Sequence, residues 1–391
     1  MQRYDFGPWH PMQPVRLRLA TSLSRALGVL DPPTAIVAAP PLATDAELAT
    51  VHTPAYLGAV QAAARHASSP RRVAAPEFGL GTPDNPVFAD MHTAGARAVG
   101  GTLLAARAVS DGTVRAAVNL AGGLHHAMPA AASGFCIYND VAVAIRDLLA
   151  RGVDRVAYVD TDVHHGDGVQ TVFADEPRVL TISLHQDPAT LWPGTGHATD
   201  TGGPAGRGTA VNIPLPPGTC DAGWRRAFHA VVPPVLTAFA PQVLVTQHGC
   251  DTHRADPIGG LRLSVDGQRA IAGDLAELAD RLCEGRWVAT GGGGYDLIDV
   301  VPRSWTHLLA IAAGRPLPVT TPLPGEWIRE RDTVGARLGA DTGPGALTMG
   351  DGVDPGFRPL TENWDGDDPV DRVIAKVRQA AFPAFGLDPH L

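Results

Sequence analysis

The sequence predicts a three-layer α/β domain in which helices cover both faces of a mostly parallel sheet. Short apolar, β-branched segments alternate along the chain with alanine-rich segments of helical periodicity. The segments around 156–160, 180–184 and 243–247 are apolar at consecutive positions, which is typical of strands buried on both faces of a parallel sheet. This alternation favours strand–helix–strand units with right-handed crossovers.

The individual elements follow from these patterns. The predicted strands, in chain order, are RAAVNLAG, RVAYVDTD, VLTISLH, QVLVTQHG and RWVATGGGG. The predicted helices cover 90–108, 138–150, 222–239, 265–283 and 300–313. From about residue 315 the chain is rich in Pro, Gly and Asp, before a helical pattern returns in PVDRVIAKVRQAAF. We therefore expect a main domain over 1–314 and an extension over 315–391 that packs on it and is partly loop.

The composition limits the classes of protein to which the chain can belong. The chain has 391 residues, 45% of them hydrophobic, and a formal net charge of -9. The acidic balance argues against nucleic-acid or membrane partners, and the sequence has no apolar run of about eighteen residues that would span a membrane. The four cysteines include no CxxC pair and the N-terminus has no apolar signal segment. Both features favour the cytoplasm.

Unusual polar residues follow four of the predicted strands. In chain order these residues are His125 and His126, then Asp160, Asp162 and His164, then Asp251, and finally Tyr295. Ligands of open α/β sheets bind at the carboxyl ends of the strands, which meet at one edge. We therefore expect these side chains to form one site.

The segment VDTDVHHGDG and the distant Asp251 contain a potential metal-ligand set. Asp162 and His164 lie two residues apart and share a face on extended backbone, so together they could hold a divalent ion. Asp251 would complete a set of three protein ligands, which leaves the open position typical of a catalytic zinc site. The alternative is that Asp160 and Asp162 cap a turn and that His164 is a hydrogen-bonded loop histidine.

Two further motifs carry chemistry. The adjacent imidazoles of His125 and His126 could act as general base and general acid, each held in one tautomer by a carboxylate such as Asp160 or Asp167. The alternative is a pair of buried histidines bonded to backbone carbonyls. In GGGGYDL the glycines could cradle a phosphate, but the GxGxxG pattern is not met. Tyr295 could instead donate a hydrogen bond to a developing oxyanion.

The combination resembles the histone deacetylase superfamily, in particular class I deacetylases and bacterial acetoin-utilisation deacetylases. The matching stretches cover about residues 1 to 310 in the family's order; they are HPMQPVRLRL, GTPDNPVF, NLAGGLHHA, GFCIYNDVAVAI, VDTDVHHGDGVQ, TISLH, PGTG, QHGCD and GGGGYDL. The resemblance implies an arginase/deacetylase-like fold. It also implies hydrolysis of the acetyl-lysine amide of an acetylated protein or peptide, with one Zn²⁺ or Fe²⁺ per chain.

The resemblance also implies roles for particular residues. Asp162, His164 and Asp251 are similar to the family's metal ligands. Catalytic roles are implied for the tandem histidines His125 and His126, for Asp160 and Asp167 behind them, and for the carbonyl-polarising Tyr295. An inner K⁺ site is implied at Asp160, Asp162, His164, Ser183 and Leu184.

Substrate contacts are implied in the same way. Gly134 and Phe135 are similar to one wall of the acyl-lysine tunnel, Asp84 to the rim carboxylate, and Arg18 to the arginine of an internal cavity behind the metal. The opposite wall, normally phenylalanine, is Trp192 here, so the acyl preference is left open. The loop after Asp251 gives this chain its own rim, which includes Ile258.

Other functions are left open at this point. An acetylpolyamine amidohydrolase would use the same chemistry on a small molecule. A dimanganese, arginase-like hydrolase would want more bridging ligands than the sequence offers. A non-catalytic reader of acetyl-lysine would be expected to have lost the tyrosine, a histidine or a metal ligand. By resemblance to the bacterial branch, we expect the substrate to be an acetylated metabolic enzyme such as acetyl-CoA synthetase.

Overall fold

One parallel sheet organises the molecule. The computed structural model describes residues 3–67, 75–339 and 345–390. Its strands are β1 (Ala116–Asn119), β2 (Val156–Asp160), β3 (Val179–Gln186), β4 (Ala210–Leu215), β5 (Val243–Gln247) and β6 (Trp287–Thr290). They form a six-stranded sheet in the order β1-β6-β5-β2-β3-β4, and every neighbouring pair is parallel. The predicted fold class is confirmed.

The strand β4 is the one strand of this sheet that the sequence analysis did not predict. It lies at the edge of the sheet and pairs with β3 alone. Its segment AVNIPL contains Asn212 and Pro214, two residue types that are depleted in strands. Proline has no N–H to donate to a neighbouring strand, and it is tolerated in an edge strand. The local residue preferences therefore do not predict β4, which forms because it pairs with β3.

Helices cover both faces of the sheet. The α-helices are α1 (Val15–Ala26), α2 (Asp45–Leu48), α3 (Pro54–His66), α4 (Met91–Ser110), α5 (Asp140–Ala150), α6 (Asp167–Phe173), α7 (Asp221–Phe239), α8 (Val265–Cys283), α9 (Val300–Ala312), α10 (Gly325–Leu338) and α11 (Pro369–Ala381). The five helices predicted before residue 315 correspond to α4, α5, α7, α8 and α9, each within two residues at either end. Among the described residues, no helix is both long and apolar enough to cross a membrane.

Alternate residues of the central strands bury against different layers. In β2, Val159 packs in a cluster with α7, α8 and α11, whereas Tyr158 packs in a second cluster with α4 and α5. Both side chains are at most 1% exposed. Burying a large apolar side chain stabilises the folded state by about 1.5–3 kcal/mol. Packing against both helix layers therefore holds the sheet in place, and with it the edge at which its strands end.

The strand register places the loops that carry the polar motifs side by side. Asp160, the last residue of β2, is the register partner of Gln247 in β5 and of Ser183 in β3. Gln247 is in turn the partner of Thr290 in β6. The loops that contain Asp162, Asp251 and Tyr295 therefore leave three adjacent strands at the same edge.

The extension from residue 315 contacts the main domain at two places. The helix α10 packs on α1, and α11 packs on α7 and on the edge strand β4. A buried ion pair fixes the second contact: Arg226 of α7 donates to both carboxylate oxygens of Asp371 in α11, at 2.5 and 2.6 Å. Arg226 also donates to the carbonyl oxygen of Arg358 at 2.7 Å. The extension is thus packed against both the sheet edge and a helix of the main domain.

We predict that Asp371→Ala lowers the free energy of unfolding by about 2–4 kcal/mol, because it leaves the buried Arg226 guanidinium without its carboxylate. Denaturant unfolding followed by circular dichroism measures the loss. Asp367→Ala changes an exposed aspartate just before the same helix and should leave the unfolding midpoint unchanged. Equal midpoints for the two variants would contradict the prediction.

Candidate active site

The predicted site residues meet in one buried cavity at the carboxyl edge of the sheet. The cavity is lined by His125 and His126 from the loop after β1, Asp162 and His164 from the loop after β2, and Tyr295 from the loop after β6; Arg16, Gly134, Cys136 and Gly293 also line it. The histidines and aspartates of this group are buried. The convergence expected from the strand ends is therefore what the fold produces.

Asp162, His164 and Asp251 form a compact cluster in which one ligand atom of each lies within 4.8 Å of the others. The His164 Nδ1 atom lies 3.1 Å from Asp162 Oδ1 and 3.3 Å from Asp251 Oδ2. Neighbouring donors hold the two carboxylates: Gln247 Nε2 and Gly293 N donate to Asp162 Oδ2, and Val163 N donates to Asp251 Oδ1. The alternative in which Asp162 merely caps a turn does not account for this convergence.

The electrostatics of this cluster fit a divalent cation. Burial together with the charge of Asp162 raises the pKa of Asp251 to about 7. Burial opposes a charge on His164, but the two carboxylates outweigh it and raise the pKa of that imidazole to about 10. The buried Asp251 Oδ2 atom has no hydrogen-bond donor among the described residues. A buried carboxylate oxygen that accepts no hydrogen bond, together with a second carboxylate and an imidazole, is a donor set suited to a metal ion.

Each of the adjacent histidines has its own aspartate. His125 Nδ1 donates to Asp160 Oδ2 at 2.6 Å, and His126 Nδ1 donates to Asp167 Oδ1 at 2.7 Å. The two rings are tilted against each other with their centroids 3.9 Å apart. Because a carboxylate holds each Nδ1–H, each Nε2 atom is left for the cavity. Carboxylates, and not the backbone carbonyls of the alternative interpretation, are the partners of these rings.

The two imidazoles sit in different electrostatic environments. Burial disfavours the charged form of His125, but the carboxylates of Asp160 and Asp162 outweigh it and raise the pKa of His125 to about 9. Burial and the positive charge of His125 lower the pKa of His126 to about 4. The two environments therefore shift the pKa values in opposite directions, which favours a neutral, proton-accepting His126 beside a more basic His125.

The four glycines before Tyr295 let the backbone approach the acidic cluster. A Cβ atom on Gly293 would lie 1.9 Å from Asp251 Oδ2, and Gly294 has a φ of 131°. The Gly293 amide donates to Asp162 at 2.8 Å, so the loop contacts carboxylates rather than a phosphate. Burial holds the pKa of Tyr295 well above its usual range, which keeps its hydroxyl protonated and able to donate.

Two aromatic rings flank these groups. Phe135 packs edge-on against Tyr295 with centroids 5.8 Å apart, and Trp192 packs edge-on against His126 at 4.6 Å. Phe135 has a φ of 67°, a left-handed conformation that is rare for an aromatic residue. Tyr4 holds this turn by donating to the Phe135 carbonyl at 2.8 Å. Gly134 is required between the rings, since a Cβ there would lie 2.6 Å from the Trp192 indole.

The two residues expected at the rim, Asp84 and Ile258, stay predictions, and the structure gives their surroundings. Asp84 is exposed, and its carbonyl oxygen lies 3.3 Å from His10 Nε2. The His10 ring packs against Phe135 at 4.5 Å, which places Asp84 near the Phe135 side of the opening. On the loop after Asp251, Ile258 is half-buried and its amide donates to Asp256.

The expectation for Arg18 is wrong. Its side chain is 43% exposed and lies 3.6 Å from Glu330 of α10, on the surface and away from the cavity. Arg16 is the arginine that lines the cavity: it is buried, donates to the Gly294 carbonyl at 3.1 Å and lies over the Trp305 ring. Both arginines belong to α1, where residues two positions apart point in nearly opposite directions.

The residues expected to bind potassium lie on and just beyond neighbouring strands. Asp160 ends β2, and Ser183 is its register partner in β3. The Asp160 carboxylate already accepts hydrogen bonds from Tyr158 Oη at 2.6 Å and from the amide of Asp162 at 3.1 Å. Leu184 follows Ser183, and Asp162 and His164 follow Asp160. The K⁺ site stays a prediction.

Sequence analysis did not single out several residues that complete this site. Tyr158 supports the carboxylate that holds His125, Gln247 supports Asp162, and Asp256 accepts a hydrogen bond from the Tyr295 amide at 2.8 Å. Gln247 lies inside the quoted QHGCD motif at a strand end, so its position was a usable signal. The sequence gave no such signal for Asp256, because the role of this residue depends on a contact with Tyr295, which lies 39 residues further along the chain.

Comparison with known proteins identifies the family of the chain. The family model for the histone deacetylase domain matches residues 10–312. The acetoin utilization protein AcuC of Bacillus subtilis (strain 168) is 41% identical over 327 residues, which are 84% of this chain and 83% of that protein. The protein of the same name from Staphylococcus xylosus is 38% identical over 326 residues, 83% of each chain.

A solved structure gives the same picture at the level of the fold. The crystal structure of the HDA15 HD domain superimposes with a TM-score of 0.68 at 30% identity, covering 78% of this chain and 85% of that one. The region matched by the family model contains the cavity residues. The chain belongs to the histone deacetylase family.

Proposed function

We propose that the protein is a metal-dependent deacetylase that hydrolyses the acetyl-lysine amide of proteins to lysine and acetate. Family membership supports hydrolysis of an acetylated substrate. The observation that carries the proposal is the meeting of the Asp162–His164–Asp251 cluster, two aspartate-held histidines and Tyr295 in one buried cavity. A non-catalytic reader would have no need of a complete acid–base and metal-ligand set.

Asp162, His164 and Asp251 are the residues that would hold the ion, which we propose to be Zn²⁺ or Fe²⁺. When bound, such an ion acts as a Lewis acid that polarises a carbonyl and lowers the pKa of water. Nitrogen and oxygen donors without a thiolate, and only three protein ligands, are typical of catalytic rather than structural zinc sites. The unpartnered Asp251 Oδ2 supports this assignment.

The histidine pair supplies the proton transfers. His126 is the general base in this proposal: its neutral imidazole, held by Asp167, takes a proton from the water that adds to the acetyl carbonyl. The same proton then goes to the lysine nitrogen as the carbon–nitrogen bond breaks, so that the neutral amine and acetic acid are formed. The acid then gives its proton to the amine, and lysine and acetate leave as ions. His125 keeps its positive charge beside Asp160 and stabilises the negative charge that develops on the carbonyl oxygen.

Tyr295 donates a hydrogen bond to that developing oxyanion. Its protonated hydroxyl faces the cavity, and its ring is supported by Phe135. The Asp256–amide contact fixes the backbone of the tyrosine. A donor held in place before the reaction costs no reorganisation when charge develops, so it stabilises the transition state more than the ground state.

The side chains around the cavity support the proposed substrate class. Phe135 and Trp192 offer apolar walls to the aliphatic stem of an acetylated lysine, whose charge the acetyl group removes. The exposed Asp84 beside this opening could accept hydrogen bonds from a peptide backbone. The relatives' name, acetoin utilization protein, leads us to propose an acetylated metabolic enzyme such as acetyl-CoA synthetase. The four cysteines are free, which fits a cytoplasmic setting.

The test compares kcat/KM on an acetyl-lysine peptide, on lysine-acetylated acetyl-CoA synthetase and on N-acetylputrescine, with the enzyme loaded with Zn²⁺ or Fe²⁺. We expect the peptide and the protein to be hydrolysed faster than the polyamine. Preference for the polyamine would assign the small-molecule alternative. No hydrolysis of any of the three by the metal-loaded protein would refute the proposal.

We predict that Asp251→Ala abolishes both metal binding and activity, because it removes the ligand whose second oxygen has no other partner. Elemental analysis after dialysis measures the metal, and peptide deacetylation measures activity. Asp187→Ala, in a loop after β3, changes a partly exposed aspartate that bonds its own loop and should keep both. An Asp251→Ala protein that retains the ion and full activity would show that the ligand set is different.

We predict that Tyr295→Phe folds normally and binds metal but loses about a hundred- to a thousand-fold in kcat, the usual cost of removing one oxyanion donor. The phenyl ring can keep the contact with Phe135, so thermal stability should not change. Near-normal kcat would mean that the hydroxyl does not serve the reaction. Loss of metal or unfolding would instead mark Tyr295 as a structural residue.

We predict that Trp192→Phe raises kcat/KM for longer acyl groups relative to acetyl, because the smaller ring widens one wall of the tunnel. Competition between acetyl-, propionyl- and butyryl-lysine peptides measures the ranking. Trp364→Phe, a change to an exposed indole in the extension, is the matched control and should leave the ranking as in the wild type. A ranking unaffected by Trp192→Phe would place the indole outside the acyl tunnel.

A further inference from the structure

We propose that Asp351, in the extension, is a positioning residue for the deacetylation reaction. It acts on the rim loop, defined as residues 252–260 between the metal-ligand position Asp251 and α8. Through this loop it fixes the backbone of Tyr295. The inference rests on the proposed function for its catalytic consequence, whereas the contacts that carry it are independent of any activity.

The Asp351 carboxylate is almost fully buried and gathers donors from several elements. Its side chain is 7% exposed. It accepts from His253 Nε2 at 2.8 Å, from Arg303 Nη1 at 2.7 Å and from the amide of Val265 at 3.0 Å. Arg254 lies 3.3 Å away. These donors, together with the charge of Arg303, keep the pKa of Asp351 well below its usual range despite burial, so it remains an anion.

His253 is the contact that connects this carboxylate to the rim loop. Its Nδ1 atom accepts a hydrogen bond from the Ala255 amide at 3.0 Å. Nδ1 therefore carries no proton, and the proton is on Nε2, which is the atom that faces Asp351. The loop's own backbone thus selects the tautomer that can donate to the extension. The imidazole is 3% exposed on its side chain, so water cannot readily replace this bond.

Asp256 connects the rim loop to the catalytic tyrosine. The Asp256 amide donates to the carbonyl oxygen of His253 at 2.9 Å, so a shift of His253 moves Asp256. The Asp256 carboxylate accepts from the Tyr295 amide at 2.8 Å and from the Ile258 amide at 2.9 Å. The connection from Asp351 through His253 and Asp256 to Tyr295 is therefore made of short, buried polar contacts.

Asp351 lies outside the cavity, so it can affect the reaction only through this connection. The carboxylate comes from the extension, 98 residues after His253, and Arg303 of α9 ties it to the main domain. Asp351 is not among the described residues that line the cavity, and neither are its hydrogen-bond partners His253, Val265 and Arg303. Its effect on the reaction is exerted through the placement of the tyrosine, and a displacement of a catalytic group by about 1 Å can cost up to about a hundred-fold in rate.

The first test is Asp351→Asn, which keeps the size of the side chain and removes its charge. We expect kcat on an acetyl-lysine peptide to fall about tenfold or more, while KM and metal content stay close to the wild type, because only the placement of Tyr295 is disturbed. The matched control is Asp354→Asn, since Asp354 is exposed in the same segment and bonds only the local Gly356 amide. Equal kcat for the two variants would overturn the proposal.

A double-mutant cycle separates positioning from general destabilisation. In the Tyr295→Phe background the group that Asp351 positions is gone, so Asp351→Asn should reduce the remaining activity about twofold or less. A tenfold loss in both backgrounds would show that Asp351 acts on stability or on another group, and would overturn the proposal. Asp351→Glu, which keeps the charge, should recover most of the kcat that Asp351→Asn loses.

Hydrogen exchange tests the contacts without reference to activity. Amides of 252–260 and of Tyr295 should exchange faster in Asp351→Asn than in wild type, and at the wild-type rate in Asp354→Asn. If Asp351→Asn does not fold, His253→Ala replaces it, because that variant keeps the Arg303 and Val265 contacts. Unchanged exchange would overturn the positioning inference even in an active enzyme. Faster exchange in a protein that hydrolyses no acetylated substrate would refute the proposed function alone.

Discussion

Two buried carboxylates, those of Asp162 and Asp251, face one imidazole at the carboxyl edge of the sheet, and the surrounding structure depends on holding them there. Burying like charges side by side costs several kcal/mol per ion unless donors or a cation compensate. Gln247, the Gly293 amide and the Val163 amide supply part of that compensation. The remaining unpartnered oxygen of Asp251 leaves one position for an ion. Within the glycine run before Tyr295, Gly293 lies beside these carboxylates, where no side chain would fit.

The same acidic neighbourhood shifts the pKa values of two adjacent histidines in opposite directions. The carboxylates of Asp160 and Asp162 raise the pKa of His125, whereas burial and the neighbouring His125 lower the pKa of His126. Different surroundings thus separate the pKa values of two groups of one chemical type. The carboxylates that hold the imidazoles belong to the segment VDTDVHHGDG, which also contains Asp162 and His164 of the acidic cluster.

The extension beyond residue 315 packs on the main domain. Its helix α10 packs on α1, its helix α11 packs on α7 and on the edge strand β4, and Asp351 lies between α8, α9 and the loop after Asp251. The extension therefore contributes to the sheet and to the rim of the cavity at once, although no catalytic motif lies within it.

Sequence alone determined most of the parallel sheet, the helices α4, α5, α7, α8 and α9 and the set of polar residues at the strand ends, because these depend on periodicity and on short ordered motifs. It did not predict the helices α1 and α3. It did not reveal β4, whose proline and asparagine suppress the strand signal until β3 provides a partner. It also selected Arg18 instead of Arg16, since a motif names both arginines but only the packed helix α1 fixes which one turns inward. The contacts of Asp351 with His253, and of Asp256 with Tyr295, join segments far apart in the chain. Only the tertiary structure decides which residues form such pairs, because the sequence around each residue contains no pattern that identifies its distant partner.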